Sequence, residues 1–283
     1  MSDSPRSSPP ARPARRTPWR IAAEALARFD RRYGSLLAAS ISFYLLLSLV
    51  PMILLGLSGF GYVLQSDPRL LNELREQIKA LLPTQAEFAQ RIVEDVISQR
   101  WAFGGVGLAA LLGTAVQALV TINQAVNVIW GVPQRRFWRA RLFALQMMGV
   151  LGSLFVCTTV GAQLLRWAGG QPLLGRAQVV IQLANWALIP LISVTLFSLA
   201  YRWIPAAEPP SQRAAWGAGV IAGLAWELAK HPFTLYLANL RLVSVVPSSL
   251  GTFLGFAIWG YYSGFVLLLG VSLAASFSGR SAD

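Results

Sequence analysis

The sequence predicts an all-α protein: a polytopic membrane helical bundle of six transmembrane helices, with an N-terminal interfacial helix and a small amphipathic helical cap between spans 1 and 2. Three observations carry that class. Of 283 residues, 55% are hydrophobic and only 13% charged, whereas an ordinary soluble domain is about a quarter charged. The mean hydropathy is +0.52. The apolar residues gather into six runs, each longer than the roughly 20 residues a helix needs to cross the hydrocarbon core.

Residues 1–16 contain Ser, Pro, Ala and Arg with almost nothing to bury, and read as a disordered cytoplasmic tail. No apolar stretch of signal-peptide length follows Arg15-Arg16, so no cleaved leader is expected. Thr17-Pro18 resembles an N-cap followed by proline at the first helical position. From there Trp19, Ala22, Ala23, Leu26, Phe29 and Tyr33 recur at helical spacing beside Arg20, Arg28, Arg31 and Arg32, which predicts a headgroup-layer helix over 17–34, ended by Gly34. The membrane domain then covers 35–278.

Span 1 is expected over about 35–64 with Pro51 inside it, and the segment 66–100 turns amphipathic. There Leu70, Leu71, Leu74, Ile78 and Leu81 form one stripe, and Thr84 to Glu87 is a capping box opening a second helix that turns Phe88, Ile92 and Val96 inward. This is the cap, expected on the periplasmic side. Spans 2 to 6 follow at about 102–130, 142–166, 178–201, 214–240 and 249–277. The last holds Gly251, Gly255, Gly260 and Gly264, small residues at four-residue spacing that let another helix come close.

Six spans put both termini on one side. The loops on that side carry 15 Lys and Arg against 8 on the other, so the terminus side is cytoplasmic and the protein is expected in the bacterial inner membrane. Trp101, Trp130, Trp138, Trp167, Trp203 and Trp216 fall near the span ends, as an aromatic belt would. The net charge of +12 reads as attraction to anionic phospholipid headgroups, through the Arg-rich N-terminus above all, and no nucleic-acid partner is expected. The cap offers a surface for a periplasmic partner, and a homo-oligomer is compatible with the pattern.

Polar residues inside apolar spans are the functional candidates. On span 5, Gly219, Gly223, Glu227 and His231 follow at intervals of four, on one helix face, with Lys230 beside them and Pro232 just beyond. A charge at mid-membrane costs about 2.5–3.5 kcal/mol on insertion scales, so these groups must face a partner or water. Two readings stand side by side: a substrate or ion path, or an ion pair of Glu227 with Lys230 that neutralises itself. Pro232 removes a helical hydrogen bond and is a candidate kink. On span 2, Gln117, Asn123, Gln124 and Asn127 either line such a path or bind neighbouring helices.

Enzyme machinery is hard to find. One histidine and one cysteine, Cys157, cannot build a zinc site, and no nucleophile elbow, P-loop or dinucleotide fingerprint occurs. No cofactor, metal or catalytic residue is expected.

Several strings together resemble the YihY/BrkB family of bacterial inner-membrane proteins, once called ribonuclease BN. They are Ala38 to Pro51 (AASISFYLLLSLVP), Asn123 to Arg136 with its Asn-x-x-Trp-Gly-Val, Trp226-Glu-Leu-Ala-Lys, and Ser249-Leu-Gly through Leu269-Gly270. The resemblance implies six spans and transport of a lipid or other anionic compound; the ribonuclease name implies ligands that this sequence lacks. It also departs from the family: Gly270-Val271-Ser272 replaces the usual Leu-Gly-Ala-Glu ending, and Val246-Pro247-Ser248 replaces a Tyr-Gly before the last span. With that carboxylate absent, Glu227 is the remaining acid for ion coupling. The reading is thus a permease or flippase-like transporter with an intramembrane charged site, the alternative being a non-transporting scaffold for envelope assembly.

Overall fold

The computed structural model describes residues 17–81, 86–169, 177–238 and 248–280, and every regular element among them is a helix. In order they are α1 (Pro18–Arg31), α2 (Gly34–Leu47), α3 (Leu49–Ser66), α4 (Pro68–Leu81), α5 (Ala86–Ser98), α6 (Arg100–Trp130), α7 (Phe137–Gly169), α8 (Ala177–Trp203), α9 (Gln212–Ala238) and α10 (Ser248–Phe277). Among the described residues, Gly34–Ser66, Arg100–Trp130 and Phe253–Phe277 are long and apolar enough to cross a membrane. The helices α7, α8 and α9, of 33, 27 and 27 residues, have comparable length. In α9 the apolar character is diluted by Glu227, Lys230 and His231.

The first expected span is two helices rather than one. Pro51 has no N–H to offer the Leu47 carbonyl and its ring crowds that carbonyl, so α2 ends at Leu47 and α3 restarts at Leu49. Pro190 and Pro232, by contrast, lie inside α8 and α9 without ending either. The turn after α1 also differs from expectation. Tyr33, not Gly34, takes the left-handed conformation, with φ 56°. Gly34 opens α2 instead, where a Cβ would run into the Phe29 ring. The capping box at Thr84, the Leu74, Ile78 and Leu81 side chains, the N-terminal tail and the Val246 to Ser248 side chains fall outside the described residues.

The bundle is assembled along seams of small residues, which let backbones approach when apolar burial alone gives no preference between helix and lipid. On the seam of α2 with α10, Ala38 meets Gly264 and Ser42 meets Gly260, and the Ser42 hydroxyl donates to the Ala257 carbonyl at 2.8 Å. Gly251 and Gly255 are buried farther along α10. Between α3 and α6, Ser58 donates to the Arg100 carbonyl at 2.8 Å and sits over Gly104. The antiparallel pair α8 and α9 is matched turn by turn, Gly219 against Ser198 and Gly223 against Val194. A Cβ on Gly223 would lie 2.8 Å from both Cα and N of Val194. Gly223→Ala is therefore expected to cost about 1–3 kcal/mol by overpacking. Gly113→Ala, where nothing lies within 4 Å, should be neutral or gain up to about 1 kcal/mol in helix propensity. Unfolding midpoints in mild detergent compare the two.

Two residues assigned to the membrane surface turn inward. Trp130 is 1% exposed, its Nε1 donating to the Glu208 carbonyl at 3.1 Å; Trp101, Trp138, Trp203 and Trp216 remain exposed. Arg28 is buried as well, and donates to the Arg280 carbonyl at 2.8 Å. The α1 stripe explains this: Ala25 and Phe29 face the bundle, and Arg28 shares their turn while Trp19, Leu26 and Tyr33 point away.

Candidate functional site

The fifth expected span delivers its charged residues to the meeting of three helices. Continuing the α8–α9 seam one turn beyond Gly223, the Glu227 carboxylate reaches α8, where Oε1 accepts a short hydrogen bond from the Ser193 hydroxyl. The same oxygen accepts from Lys230 Nζ at 2.6 Å. Helix pitch explains the second contact, since residues three apart lie on adjacent turns; the close approach permitted by Gly219 and Gly223 explains the first. The Glu227 side chain is 16% exposed and that of Lys230 32%, so the pair is only partly buried.

Aromatic rings surround the pair. The Lys230 ammonium lies 4.2 Å from the Trp226 ring centroid, a cation–π distance. Trp226 is fixed on α10 by its Nε1 donating to Ser263 Oγ at 3.0 Å. Trp259 of α10 tilts against Trp226 at 5.6 Å and stacks on Phe233 at 4.6 Å, while the Tyr262 hydroxyl donates to the Ala225 carbonyl at 3.1 Å. The Trp-Glu-x-x-Lys string is thus one interlocked unit, its tryptophan bound to α10 and its acid to α8. His231 is exposed, with Nδ1 3.3 Å from the Glu227 carbonyl one turn back. Pro232 is exposed beside it.

The polar residues of α6 do not share this site. Asn123 and Asn127 are 1% and 0% exposed and hold the chain that leaves α8. Asn123 Nδ2 donates to the Ile204 carbonyl at 3.1 Å, Asn127 Oδ1 accepts from the Ala206 amide at 2.8 Å, and the two side chains bond each other at 3.2 Å. Arg135 adds a 2.6 Å bond to the same Ile204 carbonyl. Arg280 bonds Glu208 and lies over Trp130 at 4.9 Å. Gln124, one residue on, is exposed, and Gln117 is half-buried, its carbonyl accepting from Thr121. Burial draws the Arg28 and Arg135 pKa values down, with Arg32 and Arg280 adding to the effect at Arg28; both start so high that they stay charged at neutral pH.

Ser193, Trp259, Tyr262 and Ser263 complete the α9 site, and none was singled out from the sequence. The aromatic run Trp259-Gly-Tyr-Tyr was the one available signal. Ser272, where the family resemblance leads one to look for a carboxylate, is fully buried, its hydroxyl donating to the Leu268 carbonyl at 3.2 Å. Among the described residues no three His, Cys, Asp or Glu side chains gather as a metal cluster.

Comparison with known proteins adds a family. The profile of the family described as virulence factor BrkB matches residues 25–283. A UPF0761 membrane protein of Alkalilimnicola ehrlichii is 29% identical over 86% of this chain and 55% of its own length. One of Nitrosospira multiformis is 29% identical over 89% and 59%, and one of Idiomarina loihiensis 24% identical over 88% and 87%. The chain therefore spans little more than half of the first two relatives. No solved structure matches it.

Proposed function

Since the chain belongs to the BrkB family of membrane proteins, we propose that it is a permease, flippase-like in action, which moves a lipid or other anionic compound across the bacterial inner membrane without acting as an enzyme. In this reading α1 to α10 form six spans with the α4–α5 cap in the periplasm and both termini in the cytoplasm, where the basic tail lies against anionic headgroups.

The observation that carries the reading is the Glu227–Lys230 pair midway along α9, held across to α8 by Ser193 and left with a third of the lysine side chain open. A purely structural pair at such depth gains little over apolar packing, and ionisable groups retained there mark substrate or ion pathways. An arriving anionic group takes the Lys230 ammonium from Glu227, while the Ser193 hydroxyl keeps the freed carboxylate satisfied. Glu227 then either recaptures the lysine, expelling the anion, or takes up a proton. Trp226 holds the ammonium over its ring face throughout, so the exchange needs only a side-chain swing.

Lys230→Met in proteoliposomes is expected to slow the transbilayer movement of fluorescent phosphatidylglycerol about tenfold, the equivalent of about 1.4 kcal/mol in barrier, at equal amounts of folded, reconstituted protein. Flux equal to wild type in Lys230→Met, or no wild-type flux above protein-free liposomes for lipid and small organic anions alike, would remove the permease reading. If disruption of the cap alone then changed envelope integrity, the scaffold reading would take its place.

A further inference from the structure

We propose a second anionic site, unconnected with the α9 pair: a binding cleft for one anionic phospholipid, between the start of α7 and the chain that leaves α8. Two adjoining clefts of about 440 and 600 Å³ share Phe143, Gln146, Ala206 and Ala207. The first is lined by Arg135, Arg136 and Arg139, and the second by Arg202, with no carboxylate lining either. The nearby acid, Glu208, is committed to Arg280. Arg135 is itself committed, to the Ile204 and Pro205 carbonyls and the Phe143 ring, so it builds the wall and adds charge to it. Arg136 and Arg139 are exposed, and among the described residues neither pairs with an acid.

Guanidinium groups bind phosphate oxygens in a fixed two-pronged geometry, so a cluster with no acid to neutralise it selects a phosphate-bearing anion. The other end of the cleft says which kind. Along α7 the lining passes from Arg139 through Phe143 and Gln146 to Met147 and Val150, so on this wall charge gives way to apolar side chains over three turns, or about 16 Å of helix, with Arg202 on the facing wall. A soluble phosphate uses only the basic end, whereas a phospholipid fills both. The level is right as well: Phe137, Trp138 and Trp203 beside the cleft are exposed aromatics of the sort that settle at the headgroup layer.

The test uses full-length protein in detergent, with lipid retention read by native mass spectrometry and thermal midpoints on adding phosphatidylglycerol, phosphatidylcholine or inorganic phosphate. Phosphatidylglycerol should raise the midpoint and stay bound. Arg136→Gln with Arg139→Gln should weaken its binding on the order of tenfold or more, as expected from losing two bases near a headgroup. Arg20→Gln with Arg213→Gln, which removes the same charge from exposed sites outside the cleft lining, should not. Equal weakening in both double variants, an equal response to phosphatidylcholine, or a full response to inorganic phosphate alone would each overturn the lipid site.

Discussion

Asn127→Leu is expected to lower stability by about 2–4 kcal/mol, since it strands the buried Asn123 side-chain carbonyl oxygen, worth roughly 1–3 kcal/mol when left without a partner, together with the half-buried Ala206 amide, which costs less. The Ala206 amide loses its acceptor, and the Asn123 Oδ1 loses its donor in a place where neither asparagine has surface to admit water. Leucine matches asparagine closely in size, so the loss reports hydrogen bonding rather than a cavity. The effect should extend beyond α6, because residues 204–206 connect α8 to α9 and their release loosens the seam on which Glu227 depends. Gln124→Leu, three residues earlier on the exposed side of the same helix, should fall within about 0.5 kcal/mol of wild type. Equilibrium unfolding in mixed micelles measures both; equal effects would mean that the two asparagines do not hold the connection.

The second large effect is non-additive. Lys230→Met leaves the Glu227 carboxylate with Ser193 as its remaining described partner, and Glu227→Gln leaves the ammonium over Trp226 without its counter-charge. Breaking a buried pair from one side costs about 3–5 kcal/mol, which the open third of Lys230 reduces to about 2–3 kcal/mol, as exposed pairs are screened. The double variant Glu227→Gln, Lys230→Met carries no stranded charge and should be more stable than either single variant. A double-mutant cycle on unfolding free energy checks this. Additive single effects near zero would show that the two charges are independently solvated.

Much of this arrangement could be read along the chain. The helical class, the order of the elements and the alignment of Gly219, Gly223, Glu227 and Lys230 on α9 follow from the apolar runs and the helical repeat. So does the contact between Glu227 and Lys230, because three residues of helix always bring such side chains together. The membership of the BrkB family was likewise visible in the Trp-Glu-x-x-Lys string and its companions. The apolar helical stretch over Gly34–Ser66 was legible in extent but not in continuity, since proline interrupts α2 and α3 at Leu47 yet leaves α8 and α9 unbroken.

What only the tertiary structure decided is which partners meet across helices. Ser193 meets Glu227 from 34 residues away, Trp226 finds Ser263, and the asparagines of α6 serve the 204–206 connection rather than the charged pair. Trp130 and Arg28, which their composition and neighbours put at the surface, are inside because that connection and Arg280 supply their hydrogen-bond partners. The reason is physical: helix pitch sets contacts within three or four residues, whereas contacts between helices depend on which small residues allow two backbones to close and in what register. Glycine spacing marks that a seam exists, and the matching face on the other helix then fixes everything that follows along it.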